Sequence, residues 1–398
     1  MFIALFVLAP LSLAFSQKKE MQQAKDNIKA GKSLEATEAS MRALLADSVN
    51  RHNEKIWLLL FDAVRKQYET VNEQMFLKQA TDTAKLFNNT YRMFGVLEGL
   101  DSIDAMPDSK GAVRLKYRKR HAEYLDRYRP NIFNGGLYFM QHQDFVSAYR
   151  YFAAYADCAS QPLFTAYQYD TKDGKMPLAG YNAVYCAYRA KMHDGVLKYA
   201  DIALRDKYKM ESVLHIMADT YLAKGDTASY VGVLERGFDA YPLSDYFFPL
   251  LFDIVNKQKG EKERALQLCD RVLMEDPDNI TAMYAKSGVL LSCDRFDECV
   301  ALCDRIIEAD DTYADAYLNA GMAYYLPAAA IVSDYMVART KKDYIADLLR
   351  KSLPYMETYR KLAPERKDKW ANVLYMIYLS LNMGEQFDEM DAIVKGMK

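Results

Sequence analysis

Histidine is scarce, with five in 398 residues, and none stands at a metal-ligand spacing such as His-Glu-x-x-His. Tryptophan is scarcer still, with two. There is no Gly-x-Gly-x-x-Gly after a strand pattern, no phosphate-binding loop closing on Gly-Lys-Ser/Thr, and no Gly-x-Ser-x-Gly elbow. Paired carboxylates are plentiful, but on helices they are the ordinary surface. No residue set for catalysis is left, so the chain is expected to be no enzyme and to need neither cofactor nor metal. Charge of one sign is lacking too: 52 basic and 54 acidic residues give a net −2. No global field therefore argues for nucleic acid. After Ser16 no apolar run approaches the roughly 20 residues that span a bilayer, so no transmembrane segment is expected.

Cysteine is present but without a disulfide pattern. Six occur. Cys269 and Cys303 hold equivalent slots of successive helices, and such helices lie roughly 8–10 Å apart. A bridge needs Cα atoms within about 7 Å. Cys299 and Cys303 are four apart on one helical face. Buried thiols filling small apolar slots are the expectation.

What the chain does contain is a stride. Ala265-Leu266-Gln267-Leu268-Cys269-Asp270-Arg271, shifted by 34, lands on Cys299-Val300-Ala301-Leu302-Cys303-Asp304-Arg305, and Asp276 lands on Asp310. A fixed period of 34 marks a helix–turn–helix repeat stacked into a solenoid. Within one unit, Tyr317, Ala320, Gly321 and Tyr324 stand at i, i+3, i+4 and i+7, on one helical face. The small pair admits a second helix closely and the large pair closes over it. Leu214, Met217, Ala218 and Tyr221 lead in the same way to Pro242, and Ile132, Gly135, Gly136 and Phe139 lead to Ala148 and Phe152.

These positions resemble the tetratricopeptide repeat, W-x2-L-G-x2-Y…A-x3-F…P. The large opening slot holds Trp only once, at Trp370, and small slots often hold Ser, Leu or Lys. The slots carried over (Gly136, Ala148, Ala218, Tyr221, Cys299, Cys303, Tyr317, Gly321 and Tyr324) therefore transfer as packing roles. The resemblance, to exported bacterial proteins of this kind, implies an all-α fold, an α-solenoid wound as a right-handed superhelix of about eight or nine helical pairs. It covers residues 131–398 well, with insertions near 160–175 and 326–342. Residues 17–130 are more divergent helical repeats.

Local readings fill in the order. Residues 53–68 and 72–98 read as one helical pair, the second helix carrying Phe76, Leu77 and Ala80. Asp101 to Gly111 reads as a linker with a turn at Pro107-Asp108-Ser109-Lys110-Gly111. A basic helix follows, with Arg114, Lys116, Arg118, Lys119, Arg120, Arg127 and Arg129; a solvated face explains it better than a patch for an anionic partner. In the first insertion Asp170, Asp173 and Gly174 lack the alternating oxygens of a calcium loop, and a turn with Gly174 at positive φ is expected instead. The second insertion, Leu326 to Lys342, splits a repeat whose helix resumes at Asp343.

The first sixteen residues form a short apolar run ending Ala14-x-Ser16, a small-residue cleavage pattern, with Lys18 and Lys19 following at once. A signal peptide over 1–16 and a periplasmic or secreted mature protein are expected. Asp47-Ser48-Val49, Asp82-Thr83-Ala84, Asp101-Ser102-Ile103 and Asp226-Thr227-Ala228 look like the O-glycosylation motif of some exported bacterial proteins, although helix caps collect the same residues. A scaffold of this kind is expected to hold a peptide or protein partner in its groove. Solvent-side residues of first helices, Asn182, Tyr284 and Asn319, are the candidates for contact. The 31 tyrosines also suit a second role, carbohydrate binding at the outer membrane by stacking on sugar rings.

Overall fold

The structure, a computed structural model, describes residues 8–397. Residues 1–7 of the expected leader lie outside the described residues. Every regular element among the described residues is helical. In chain order they are α1 (Leu8–Ala30), α2 (Leu34–Ala46), α3 (Glu54–Phe76), α4 (Thr83–Asp104), α5 (Arg118–Gln141) and α6 (Phe145–Asp157). A 3-10 turn, Pro162–Tyr167, precedes α7 (Tyr169–Lys172), α8 (Met176–Arg189), α9 (His193–Ala203), α10 (Met210–Lys224) and α11 (Thr227–Ala240). Then come α12 (Phe247–Lys257), α13 (Lys262–Glu275), α14 (Ile280–Ser292), α15 (Phe296–Ala309) and α16 (Ala314–Val332). The chain continues with α17 (Tyr335–Thr340), α18 (Lys342–Leu362), α19 (Lys367–Ser380) and α20 (Gly384–Gly396). None is long and apolar enough to cross a membrane among the described residues.

Two compact units divide within α11, after residue 230. In each, a helix packs on its sequence neighbours and next neighbours, the stacked arrangement of an α-solenoid. In the second unit the 34-residue stride is visible in the helix ends themselves. α13 begins at Lys262 and α15 at Phe296; α13 ends at Glu275 and α15 at Ala309. Their C-caps, Asp276 and Asp310, adopt the same extended conformation, φ −136° and −149°. Both carboxylates accept from the amide two residues on, Asp278 and Thr312, so the shared acid builds the turn into the next helix. Cys269 and Cys303 are fully buried at equivalent positions and are free thiols, as are the other four cysteines.

Gly321 shows how a small slot sets helix spacing. A Cβ built there would lie 2.6 Å from Met356 Sδ and 2.8 Å from its Cγ. The partner is α18, whose Ser352 hydroxyl donates to the Gly321 carbonyl at 2.7 Å. Tyr317 and Tyr324 flank the ring of Tyr355, with centroids 6.4 and 6.1 Å away. Gly321→Leu is accordingly expected to cost about 1–3 kcal/mol or more by overpacking, read as a lowered urea midpoint. An unchanged midpoint would show that α16 and α18 do not depend on this close approach. Gly136 makes the same kind of approach, with a Cβ meeting Phe152 at 2.8 Å, and Ala148 and Ala218 are fully buried.

Prolines account for two departures from the expected boundaries. A helix-interior proline loses a hydrogen bond and crowds the preceding turn, which argues for a break at each. Yet α5 runs unbroken from Arg118 through Pro130 and α16 through Pro327; α18, the helix expected to resume at Asp343, likewise contains Pro354. In α5 the buried residues before the proline (His121, Ala122, Leu125, Arg129) and after it (Ile132, Phe133, Gly135, Gly136) together line the packed faces; tertiary burial outweighs the local cost. The second insertion is thereby absorbed: its first residues prolong α16, and only the short α17 lies before α18. Arg114 and Lys116 precede α5 rather than belonging to it. Residues 72–98 are also redistributed. Phe76 ends α3 with its side chain 85% exposed, and Leu77 is that helix's C-cap. α4 starts only at Thr83, where Asp82 caps it by accepting from the Ala84 amide.

The acids of the four acid–hydroxyl–apolar tripeptides are committed to local structure. Asp82 is that cap, Asp47 accepts from the Val49 amide, and Asp226 accepts from the Ser229 amide. Asp101 is held by the Arg118 guanidinium through two 2.8 Å bonds.

Candidate functional site

In the first unit, the outward faces of three second helices meet at a cleft of about 340 Å³. α4 supplies Tyr91, Gly95 and Glu98, spaced i, i+4, i+7 and so stacked on one face. α6 supplies Tyr149, Arg150 and Asp157, while its Ala148 and Phe152 are fully buried. α9 supplies Lys198 and Tyr199. Gln161, from the first insertion, also lines it.

The electrostatics are uneven. Asp157 accepts from Lys198 Nζ at 3.0 Å and from the Tyr199 hydroxyl at 2.9 Å. Arg150 lies over the Tyr91 ring, 5.3 Å from its centroid. Tyr149 and Tyr199 meet edge to face at 5.9 Å. Glu98, by contrast, has no side-chain hydrogen bond or ion pair recorded among the described residues; burial and then the negative Asp157 push its carboxyl up to about 7. The site therefore holds an acid that is half ionised near neutral pH, among tyrosine faces. Gly95 keeps the cleft open, since a Cβ there would meet nothing within 4 Å. Gly95→Ala is thus expected to stabilise the chain by about 0.5–1 kcal/mol, removing unfolded-state freedom without a clash. A lowered urea midpoint would place a neighbour where the structure has open space.

Beside the cleft, the first insertion is fixed by one buried cation. Arg129, 5% exposed, lies between the rings of Tyr155 and Tyr169, 3.6 and 3.7 Å from their centroids. Its Nη1 bonds Asp173 Oδ2 at 2.5 Å and Nη2 donates to the Tyr155 carbonyl at 3.1 Å. Asp173 also accepts from the Tyr155 hydroxyl at 2.7 Å and from the Lys175 amide at 2.9 Å. Burial alone would raise the Asp173 carboxyl, but these bonds together hold it below the usual range. Arg129 is thus a structural clamp rather than part of a solvated face. Gly174 is not among the residues at positive φ; Gln168, at φ 53°, makes the left-handed turn instead.

The residues proposed from sequence lie elsewhere. Asn182 is 6% exposed and not on a solvent-facing side, because α8 packs against both α6 and α9 and is buried on most of its circumference. In the second unit Tyr284 is half-buried, 5.5 Å from the Tyr313 ring, and burial pushes its hydroxyl up to about 12. Asn319 donates to the buried Ser287 hydroxyl at 3.0 Å. None of the three lines the cleft. The signal that would have found it is the Tyr91–Gly95–Glu98 spacing, an exposed small residue between an aromatic and an acid on one face.

Stacked helical pairs with buried small slots define a helical-repeat protein. Residues 258–323, the stretch carrying the 34-residue stride, match the tetratricopeptide repeat family. No match was found among curated proteins. Among solved structures, the chain is similar to the C-terminal part of a TPR repeat-containing protein from Cytophaga hutchinsonii: 12% identity, TM-score 0.40, 65% of this chain and 92% of that one. MamA from Desulfovibrio magneticus RS-1 gives 17% identity and TM-score 0.36, over 47% of this chain and 96% of that one. YrrB, described as a TPR protein with an unusual peptide-binding site, gives 16% and 0.35 over 49% and 90%.

Proposed function

We propose that the protein is a non-catalytic scaffold that holds a peptide or protein partner, and that it does so in the periplasm or outside the cell after loss of residues 1–16. One observation carries the binding reading: the cleft formed by α4, α6 and α9 presents tyrosine rings, an acid without a counter-charge among the described residues and open space above Gly95. Tyrosine offers flat contact at low entropic cost, and repeat stacks present extended surfaces suited to polymers. In-cell photo-cross-linking with mass spectrometry tests it. A photo-reactive residue at position 149, in the cleft, is expected to capture a protein partner that the same residue at position 208 does not; Tyr208 is 97% exposed and outside the cleft. Equal capture at both positions, or none at 149, would remove the cleft as the binding surface.

Export has its own test. α1 runs from Leu8 to Ala30, across the expected cleavage point, so processing would leave its part from Gln17 onward on the mature protein. The protein isolated from the cell is expected in the periplasmic or external fraction with Gln17 as its first residue. A full-length, cytoplasmic product would overturn the localisation.

A further inference from the structure

The geometry points to Glu98 as the seat of a single cationic side chain, a lysine ammonium or arginine guanidinium, delivered by the bound peptide. This rests on the reading of the cleft as a peptide-binding surface and names what it selects.

Three features of the cleft converge on a cation. First, Glu98 is an acid that burial has partly stripped of water, with no counter-charge recorded among the described residues. A charge in that setting gains more from an incoming partner than it would in open solvent. Second, the cations already present are occupied. Lys198 is 3.0 Å from Asp157 and sits 4.8 Å from the Tyr199 ring centroid, while Arg150 is laid over Tyr91. Asp157, not Lys198 or Arg150, is the neighbouring charge that acts on Glu98. Third, the lining is aromatic: Tyr91 and Tyr199 already carry Arg150 and Lys198, and Tyr149 beside them adds a further ring, of the kind that attracts a cation within about 6 Å of its centroid. Gly95, one turn before Glu98 on the same face, leaves the approach clear.

An anionic group could instead seek Arg150, for which no carboxylate partner is recorded. The stack on Tyr91 satisfies that guanidinium in part, whereas nothing comparable satisfies Glu98. The cationic occupant is therefore the one the site favours.

Panning a phage-displayed random dodecapeptide library on the purified chain tests this directly. The parallel targets are Glu98→Gln, which keeps shape and removes charge, and Gly95→Leu, which projects into the cleft from a position where a Cβ meets nothing within 4 Å. The expected result is a consensus with one fixed Lys or Arg, and a synthetic consensus peptide that binds each variant at least tenfold more weakly than the parent. Replacing that Lys or Arg by norleucine should cost the same factor, and should cost Glu98→Gln nothing further. Enrichment of an acidic or uncharged consensus, or of peptides that bind both variants as well as the parent, overturns the cation site and leaves the scaffold reading standing. No enrichment on the parent overturns both. Melting curves of both variants at or above the parent show that lost binding is not lost folding.

Discussion

Arg129→Ala should unfold the first unit more readily by about 3–5 kcal/mol, the range for removing one member of a buried, hydrogen-bonded ion pair. The substitution strands Asp173, which would keep its bonds from Tyr155 and Lys175 but lose its counter-charge. It also opens a gap between the Tyr155 and Tyr169 rings, now 3.6 and 3.7 Å from the guanidinium. Tyr169 donates to Asp126 at 2.6 Å, so its ring stays tethered at one edge and cannot simply close the gap. Arg129→Lys should recover only a small part of the loss. An ammonium cannot lie flat between two rings and bond a carboxylate and a carbonyl together. Urea unfolding of both variants, with hydrogen exchange across residues 160–175, checks this. A loss under about 1 kcal/mol for Arg129→Ala, well short of the buried-pair range, with unchanged exchange in the insertion, would mean that the insertion is held by its apolar residues Leu163 and Phe164 alone.

The contrast between the two units shows what a repeat sequence makes legible. Where the stride is kept, as from Lys262 to Ala309, the same residues recur at the same helix positions and the same acid builds the same turn, so boundaries follow from sequence to the residue. Where it is lost, local rules misplace the ends. Pro130 and Pro327 read as breaks, but burial on both sides carries the helix through each. Phe76 reads as core on its apolarity, but α3 simply runs on to it and leaves it exposed. The cleft was harder still to read. Its residues come from three separate second helices on faces that the repeat pattern leaves unspecified, and beyond the Tyr91–Gly95–Glu98 spacing within α4 no short motif links them. Asn182 illustrates the converse: a polar residue in a first helix reads as groove-facing, but α8 has neighbours on most of its circumference, which no pattern within α8 reveals. Arg129 was hidden for a similar reason. Among seven basic residues it looks like one more surface charge, and only the fold brings Tyr155, Tyr169 and Asp173 around it.

Glu98→Gln should stabilise the protein, and only above a definite pH. In the folded chain the Glu98 carboxyl keeps its proton up to about 7, against an ordinary 4.5, chiefly because burial penalises the charge. The unfolded chain releases that proton near the ordinary value. Between those two values the folded state therefore binds more protons, and the Glu98 contribution to stability falls as pH rises. Each tenfold weakening of the acid is worth about 1.4 kcal/mol, so the parent should carry a penalty of roughly 3 kcal/mol at pH 8 that is nearly absent at pH 4. Glutamine is neutral throughout and carries none of it. Groups that titrate in both proteins cancel in the difference. Urea midpoints of parent and Glu98→Gln should thus coincide near pH 4 and separate in favour of the variant from pH 5 to 8. A variant that is less stable at pH 8, or equally shifted at both ends, would mean that Glu98 has a counter-charge in solution. The cleft would then hold no acid in need of one, and the reason for expecting a cation there would vanish with the stability difference.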